Sequence, residues 1–229
     1  MGSRAWARGQ GRTGKGPQAA PPAVQAAAIL AAIEPHPPET LHVDEQMRMN
    51  LGPLAALAGT WQGAKGRDDA PSDDRGAEVN LYRERLVLEP FGPVDNHEQQ
   101  LWGLRYSTNA FRLGEADAFH EETGYWLWDA ASQQVLRCFV VPRGITVLAG
   151  GTATSDAKRF TLVAELGSAT FGICSNPFLD REFQTVRYEL DVTVHDDGAF
   201  SYAEDTQMRM PGRAELFHHR DRNTLRRIG

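Results

Sequence analysis

The chain has 229 residues, 41% of them hydrophobic and 24% charged, with a formal net charge of −6; that is room for one sizeable β-domain with a tail, or for two small domains. The acidic balance argues against a nucleic-acid binder, which needs a basic face, and no run approaches the roughly 18 to 20 apolar residues of a membrane span. Two cysteines, Cys138 and Cys174, with no secretory signal ahead of them, exclude a disulfide framework and make a reducing cytoplasm the expected compartment.

The first 33 residues hold Arg4, Arg8, Arg12 and Lys15 and no acid; with −6 on the whole chain, this leaves −10 on the rest. Gly, Gln, Ala and Pro dominate here, so residues 1–46 are expected to be a disordered basic extension, with a short Ala-rich helix over Val24–Ile33 ended by Pro35, Pro37 and Pro38. It reads as a leader or an over-long start, with Met47 or Met49 as the alternative first residue; a mitochondrial presequence would need an apolar face that is missing before Val24. Residues 47–229 are expected to form a single ligand-binding domain. Leu51, Leu54, Leu57 and Ala58 recur at helical spacing and lead directly into Gly59-Thr60-Trp61-Gln62-Gly63.

From there the period changes to two. Ala77–Leu88, Glu98–Ser107, Phe119–Trp128, Val135–Val141, Ile145–Gly150 and Phe160–Leu166 are strand-like and separated by Gly, Asp, Asn or Pro. Tyr188, Leu190, Val192 and Val194 alternate with Glu189, Asp191, Thr193 and His195, and Asp196-Asp197-Gly198 turns the chain into a strand with Phe200, Tyr202, Glu204, Thr206, Met208 and Met210 on one face. Pro211-Gly212 leads to the last strand, Glu215–Arg226. About ten antiparallel strands with hairpin-length links stack as a sandwich or close into an up-and-down barrel. Their length and the lack of a paired-cysteine core favour the barrel, which at this strand number encloses a cavity. Glu204 and Thr206 face either that cavity or solvent near an open end; both readings stand at this point.

Three segments together resemble the nitrobindin family, heme-binding β-barrels once described as fatty-acid-binding-protein-like. Gly59-Thr60-Trp61-Gln62-Gly63 is similar to the family's Gly-x-Trp-x-Gly-x-Gly signature, with Lys65 in the place of the last glycine and Gly66 following. His120-Glu121-Glu122-Thr123-Gly124-Tyr125-Trp126 is similar to its His-x-Glu-Ser-Gly-Tyr-aromatic strand. Leu216-Phe217-His218-His219 resembles the terminal-strand segment that carries the axial histidine. The likeness runs over roughly Leu51–Arg227. It departs at Arg220-Asp221-Arg222-Asn223-Thr224, where family members carry apolar and small residues, and in the segments Arg67–Gly76 and Thr170–Glu182, which look longer.

The resemblance implies an all-β, lipocalin-like barrel that binds heme b, with His219 as the iron ligand and Gly59, Trp61 and Gly63 at the cofactor. It further implies isomerisation of peroxynitrite to nitrate and nitric oxide binding at a ferric iron, chemistry that requires no protein acid or base, so no catalytic residue is assigned. Without a bulge, strand alternation lets only one of His218 and His219 face the interior, with Phe217 accompanying His219; the alternative is a surface histidine beside a charged turn. The charged departures after His219 motivate a second reading, a non-catalytic carrier of a fatty acid or other lipophilic molecule. Expected partners are such a small ligand or heme and a second copy in a homodimer, with no nucleic acid and no membrane. His120, Glu121, Glu122 and Tyr125 have the residue types of an acid/base or metal cluster but read first as a strand end that pins a turn, Cys138 as a buried structural thiol rather than a nucleophile, Asn176-Pro177-Phe178-Leu179 as a loop with an apolar plug, and Arg143-Gly144 as a turn.

Overall fold

Alternation with period two takes over at Gly59 and persists to the end of the chain, and it yields eleven strands: β1 (Gly59–Pro71), β2 (Ala77–Asn96), β3 (Gln99–Arg112), β4 (His120–Asp129), β5 (Gln134–Val141), β6 (Ile145–Thr152), β7 (Arg159–Leu166), β8 (Gly172–Ser175), β9 (Gln184–Val194), β10 (Phe200–Arg209) and β11 (Phe217–Arg227). The computed structural model describes residues 45–228; the basic segment before them, with the helix expected over Val24–Ile33, lies outside the described residues. The strands close in the order β1-β11-β10-β9-β7-β8-β6-β5-β4-β3-β2, so the expected barrel forms. The strand beyond the expected ten is β8, four residues long and too short for alternation to reveal; it runs parallel to β7 at Glu165↔Gly172 and antiparallel to β6.

Both segments that look long in the sequence become ordered elements. Arg67–Pro71 extends β1 and pairs with β2, leaving only residues 72–76 as the turn. The expected loop with a plug is a short helix, α2 (Pro177–Glu182), numbered after α1 (Glu45–Asn50). Asn176 caps it, its Oδ1 accepting from the Phe178 and Leu179 amides at 2.9 and 3.1 Å, with Pro177 preset for the first helical position. The displaced glycine of the first motif also has a physical reason. The β1–β2 register shifts between Gly63 and Gly66, a bulge that absorbs Lys65, and a Cβ at Gly66 would run into the Tyr82 ring.

One end of the barrel is shut. A 3-10 turn, Gly52–Ala56, sits over it and buries Leu51, Leu54 and Leu57 against Trp61, Trp128 and Leu225. The Trp61 indole donates to the Leu57 carbonyl at 2.7 Å and meets Phe200 edge-on, 4.7 Å between centroids. Arg227, from the last strand, lies over the Trp61 ring at 4.5 Å and donates to the Ala56 carbonyl at 3.0 Å and to that of Ala58. Gly59 is required here: its φ is +134°, and a side chain would meet the Arg227 guanidinium. Each leucine so buried contributes about 1.5–3 kcal/mol. The opposite rim carries the turns 72–76, 113–119, 142–144 and 210–216 together with α2, and it is open.

Candidate functional site

The open end leads into a cavity of about 520 Å³, within the range that holds a cofactor-sized ligand. Strand alternation places its lining. On β2 the inward set is Tyr82, Glu84 and Leu86, whereas the more hydrophobic Val79 and Leu81 are 52% and 54% exposed on the outside. On β10, Phe200, Tyr202, Glu204, Thr206 and Met208 all line the cavity, which decides the open question about that face in favour of the interior. On β11, His219 and Asp221 line it, with Phe217, Asn223 and Leu225 buried on the same face; His218 points outward and pairs with Asp205 at 2.7 Å.

The lining is layered by depth. Above the apolar floor lies a tier of buried polar side chains in two groups. In one, Arg137 donates to Tyr106, Tyr188, Glu122 and Glu204, and its guanidinium lies 4.6 Å from the centre of the Phe139 ring. In the other, Glu84 accepts from Thr108 at 2.8 Å, Tyr202 at 2.9 Å and Asn223 at 2.9 Å, while Tyr82 donates to Asp221 at 2.5 Å. Buried polar groups on this scale are tolerated because each finds partners. Burial pushes the Glu84 carboxyl above its usual range, and burial together with the Glu204 charge pushes Asp221 up to about 8. Glu122 moves the other way: burial would raise it, but the Arg137 charge and the His120 contact outweigh burial and hold it low.

The uppermost tier carries two imidazoles. His219 Nε2 sits 2.5 Å from Asp68 Oδ1; burial lowers the histidine's pKa, and the Asp68 hydrogen bond and charge, helped by Glu204 and Asp221, more than offset that and raise it. His120 lies 3.8 Å from Glu122 and is raised in the same sense, burial again being outweighed by Glu122, Glu204 and Asp221. Phe119, Val141, Ile145, Leu179, Phe183 and Met208 give this tier an apolar wall.

The sequence-derived site residues therefore separate. His219 is in the cavity. Gly59, Trp61 and Gly63 are not among its lining: Trp61 and Gly59 build the closed end, and Gly63 packs against the Asn223 amide, so these three act on the barrel wall and floor because they lie on the first half of β1, below the chamber. His120 and Glu122, expected to pin a turn, line the chamber, while Glu121 and Tyr125 face outward. Cys138 is not the buried thiol its neighbours suggest. It points outward, half-buried, with Sγ 3.7 Å from the Tyr125 carbonyl, because the inward residues of β5 are Val135, Arg137 and Phe139. Burial keeps its thiol above the usual pKa. Arg137 is the residue that sequence reasoning missed; the period-two pattern of β5 carries the signal, but a lone arginine among Val, Leu and Phe invites the opposite assignment.

The donor set suits heme. Among the described residues no group of three or more His, Cys, Asp or Glu side chains is arranged to hold a bare metal ion, whereas one inward imidazole under an apolar wall suits an iron whose remaining ligands arrive with a porphyrin. Asp68 occupies Nε2 and must yield that nitrogen, or the ring must turn, for ligation.

A family model described as "THAP4-like, heme-binding beta-barrel domain" matches residues 50–227. Among solved structures, the crystal structure of Rv2717c from M. tuberculosis is similar, at 22% identity and a TM-score of 0.56, over 79% of this chain and 98% of that one; at this identity the likeness concerns the fold. The comparison with curated proteins gives no significant match. With the family model spanning nearly all of the barrel, its three motifs in order and the closed topology in place, the chain belongs to the THAP4-like heme-binding β-barrel family, the nitrobindin family that its motifs resemble.

Proposed function

We propose that residues 47–229 act as a single heme b-binding domain in which His219 is the axial ligand, and that the ferric form binds nitric oxide and isomerises peroxynitrite to nitrate. The observation that carries this reading is the position of His219: an inward imidazole on the last strand of a barrel of a heme-binding family, at the mouth of a chamber of cofactor size. Heme bound there would supply a Lewis-acidic iron. The chain does the rest. His219 would hold the heme iron, and Asp68, 2.5 Å from its Nε2, orients that imidazole and would give the nitrogen up on binding. Phe119, Leu179, Phe183 and Met208 would give the bound porphyrin an apolar wall near the mouth. His120, held by Glu122, is a donor on the same chamber wall.

The carrier reading has less support. A lipid carboxylate reaching into the barrel would seek Arg137, whose guanidinium is already held by Glu122 and Glu204, and leaving either of those carboxylates unpaired is costly. The test of the proposed activity is stopped-flow decay of peroxynitrite with and without stoichiometric hemin-loaded protein, scored by nitrate yield. Faster decay with nitrate as the main product is expected; decay no faster than with free protein would remove the isomerase reading.

A further inference from the structure

Charge on the chamber wall is sorted by depth. Inside, Glu84, Glu122, Glu204 and Asp221 face one cation, Arg137, which is already engaged. At the rim two more arginines line the same cavity. Arg112, at the end of β3, donates from Nε to Asn80 at 2.7 Å and stacks on Phe119 at 4.6 Å, while its terminal nitrogens are 3.9 and 3.8 Å from Glu78 and Glu115, at the edge of an ion pair. Arg143, in the β5–β6 turn, is exposed, and its guanidinium has no ion-pair or hydrogen-bond partner among the described residues. The rim acids Asp73 and Glu78 lie on the β1–β2 side, several strands round from Arg143.

We propose that Arg143, assisted by Arg112, is the docking point for the anionic side groups of the chamber's ligand, so that the ligand seats with its apolar edge inward and its carboxylates at the rim. Resting on the heme reading above, those carboxylates are the two propionates. A carboxylate turned inward would meet Glu122 and Glu204, to which Arg137 is already committed, in a medium that screens poorly; turned outward it meets the free guanidinium, and a planar fork suits it geometrically. Stacking on Phe119 holds Arg112 in place ahead of binding. The turn at Arg143-Gly144, with Gly144 at φ +80°, puts the arginine at the lip rather than in a strand.

The test is a Soret titration of wild type, Arg112→Gln/Arg143→Gln and Arg112→Lys/Arg143→Lys with hemin and with hemin dimethyl ester, which lacks the anions. Wild type should prefer hemin, by up to roughly fivefold per arginine at low salt, with the preference shrinking as ionic strength rises. The glutamine variant should bind both compounds alike, and the lysine variant should keep part of the preference; matching thermal melts show that all three fold. Equal affinity of wild type for both compounds, or a preference undiminished in the glutamine variant, would overturn the docking assignment and leave the heme reading intact. Failure of both compounds to give a Soret band with wild type would overturn the heme reading, and the docking assignment with it.

Discussion

The two ends of this barrel are built by the same alternation and to opposite chemistry. At the closed end the inward positions are Leu54, Leu57, Trp61, Trp128 and Leu225, an apolar plug of the kind that holds any small domain together. A few residues further along the strands, the inward positions are Glu84, Glu122, Arg137, Tyr188, Glu204 and Asp221. Burial of that second set is stabilising only while every partner is present. Its existence therefore points to a requirement other than folding, and the layer divides a structural floor from a ligand chamber.

Breaking the polar tier should cost most. Arg137→Met leaves Glu122 buried without its counter-ion, and a loss of about 3–5 kcal/mol is expected by urea unfolding, partly recovered when Glu122→Gln is added. At the closed end Leu54→Ala opens a cavity, for a loss of about 2–4 kcal/mol, with hemin affinity unchanged in the folded fraction. An equal fall in affinity would mean that floor and chamber are not separable. Smaller and pH-dependent is Asp221. Its folded pKa of about 8 lies above the ordinary 3.8, so the folded state holds this proton more tightly than the unfolded one. The contribution is full below about pH 4 and lost as pH rises through about 8. Wild type should lose about 2–3 kcal/mol from this group between pH 6 and 8.5, and Asp221→Asn should flatten that slope in thermal melts across the range.

The barrel was legible in the chain because period-two alternation and hairpin turns are local signals. The three motifs then located its first strand, its fourth and its last. His219 was legible through the resemblance: alternation along the last strand admits only one of the two adjacent histidines, and the terminal-strand motif picks His219. The polar tier was not. Arg137 sits between Leu136 and Cys138, whose hydrophobicity suggests the reverse facing, while Glu84 lies in the charged run Arg83-Glu84-Arg85, where nothing marks it as inward; only the closure of β2, β4, β5 and β10 around one space brings Glu84, Glu122, Arg137 and Glu204 together. Val79 and Leu81 face outward for that reason, and Cys138 with them. The short β8 and α2 left no periodic trace.

The parity of the last strand is the hinge of the account, because it sends one of two adjacent histidines into the chamber and the other to Asp205 on the surface. Hemin titration of wild type, His218→Ala and His219→Ala measures it directly. A Soret band of equal amplitude in wild type and His218→Ala, and its loss in His219→Ala, is the predicted result; an intact band in His219→Ala, or its loss in His218→Ala, would contradict it.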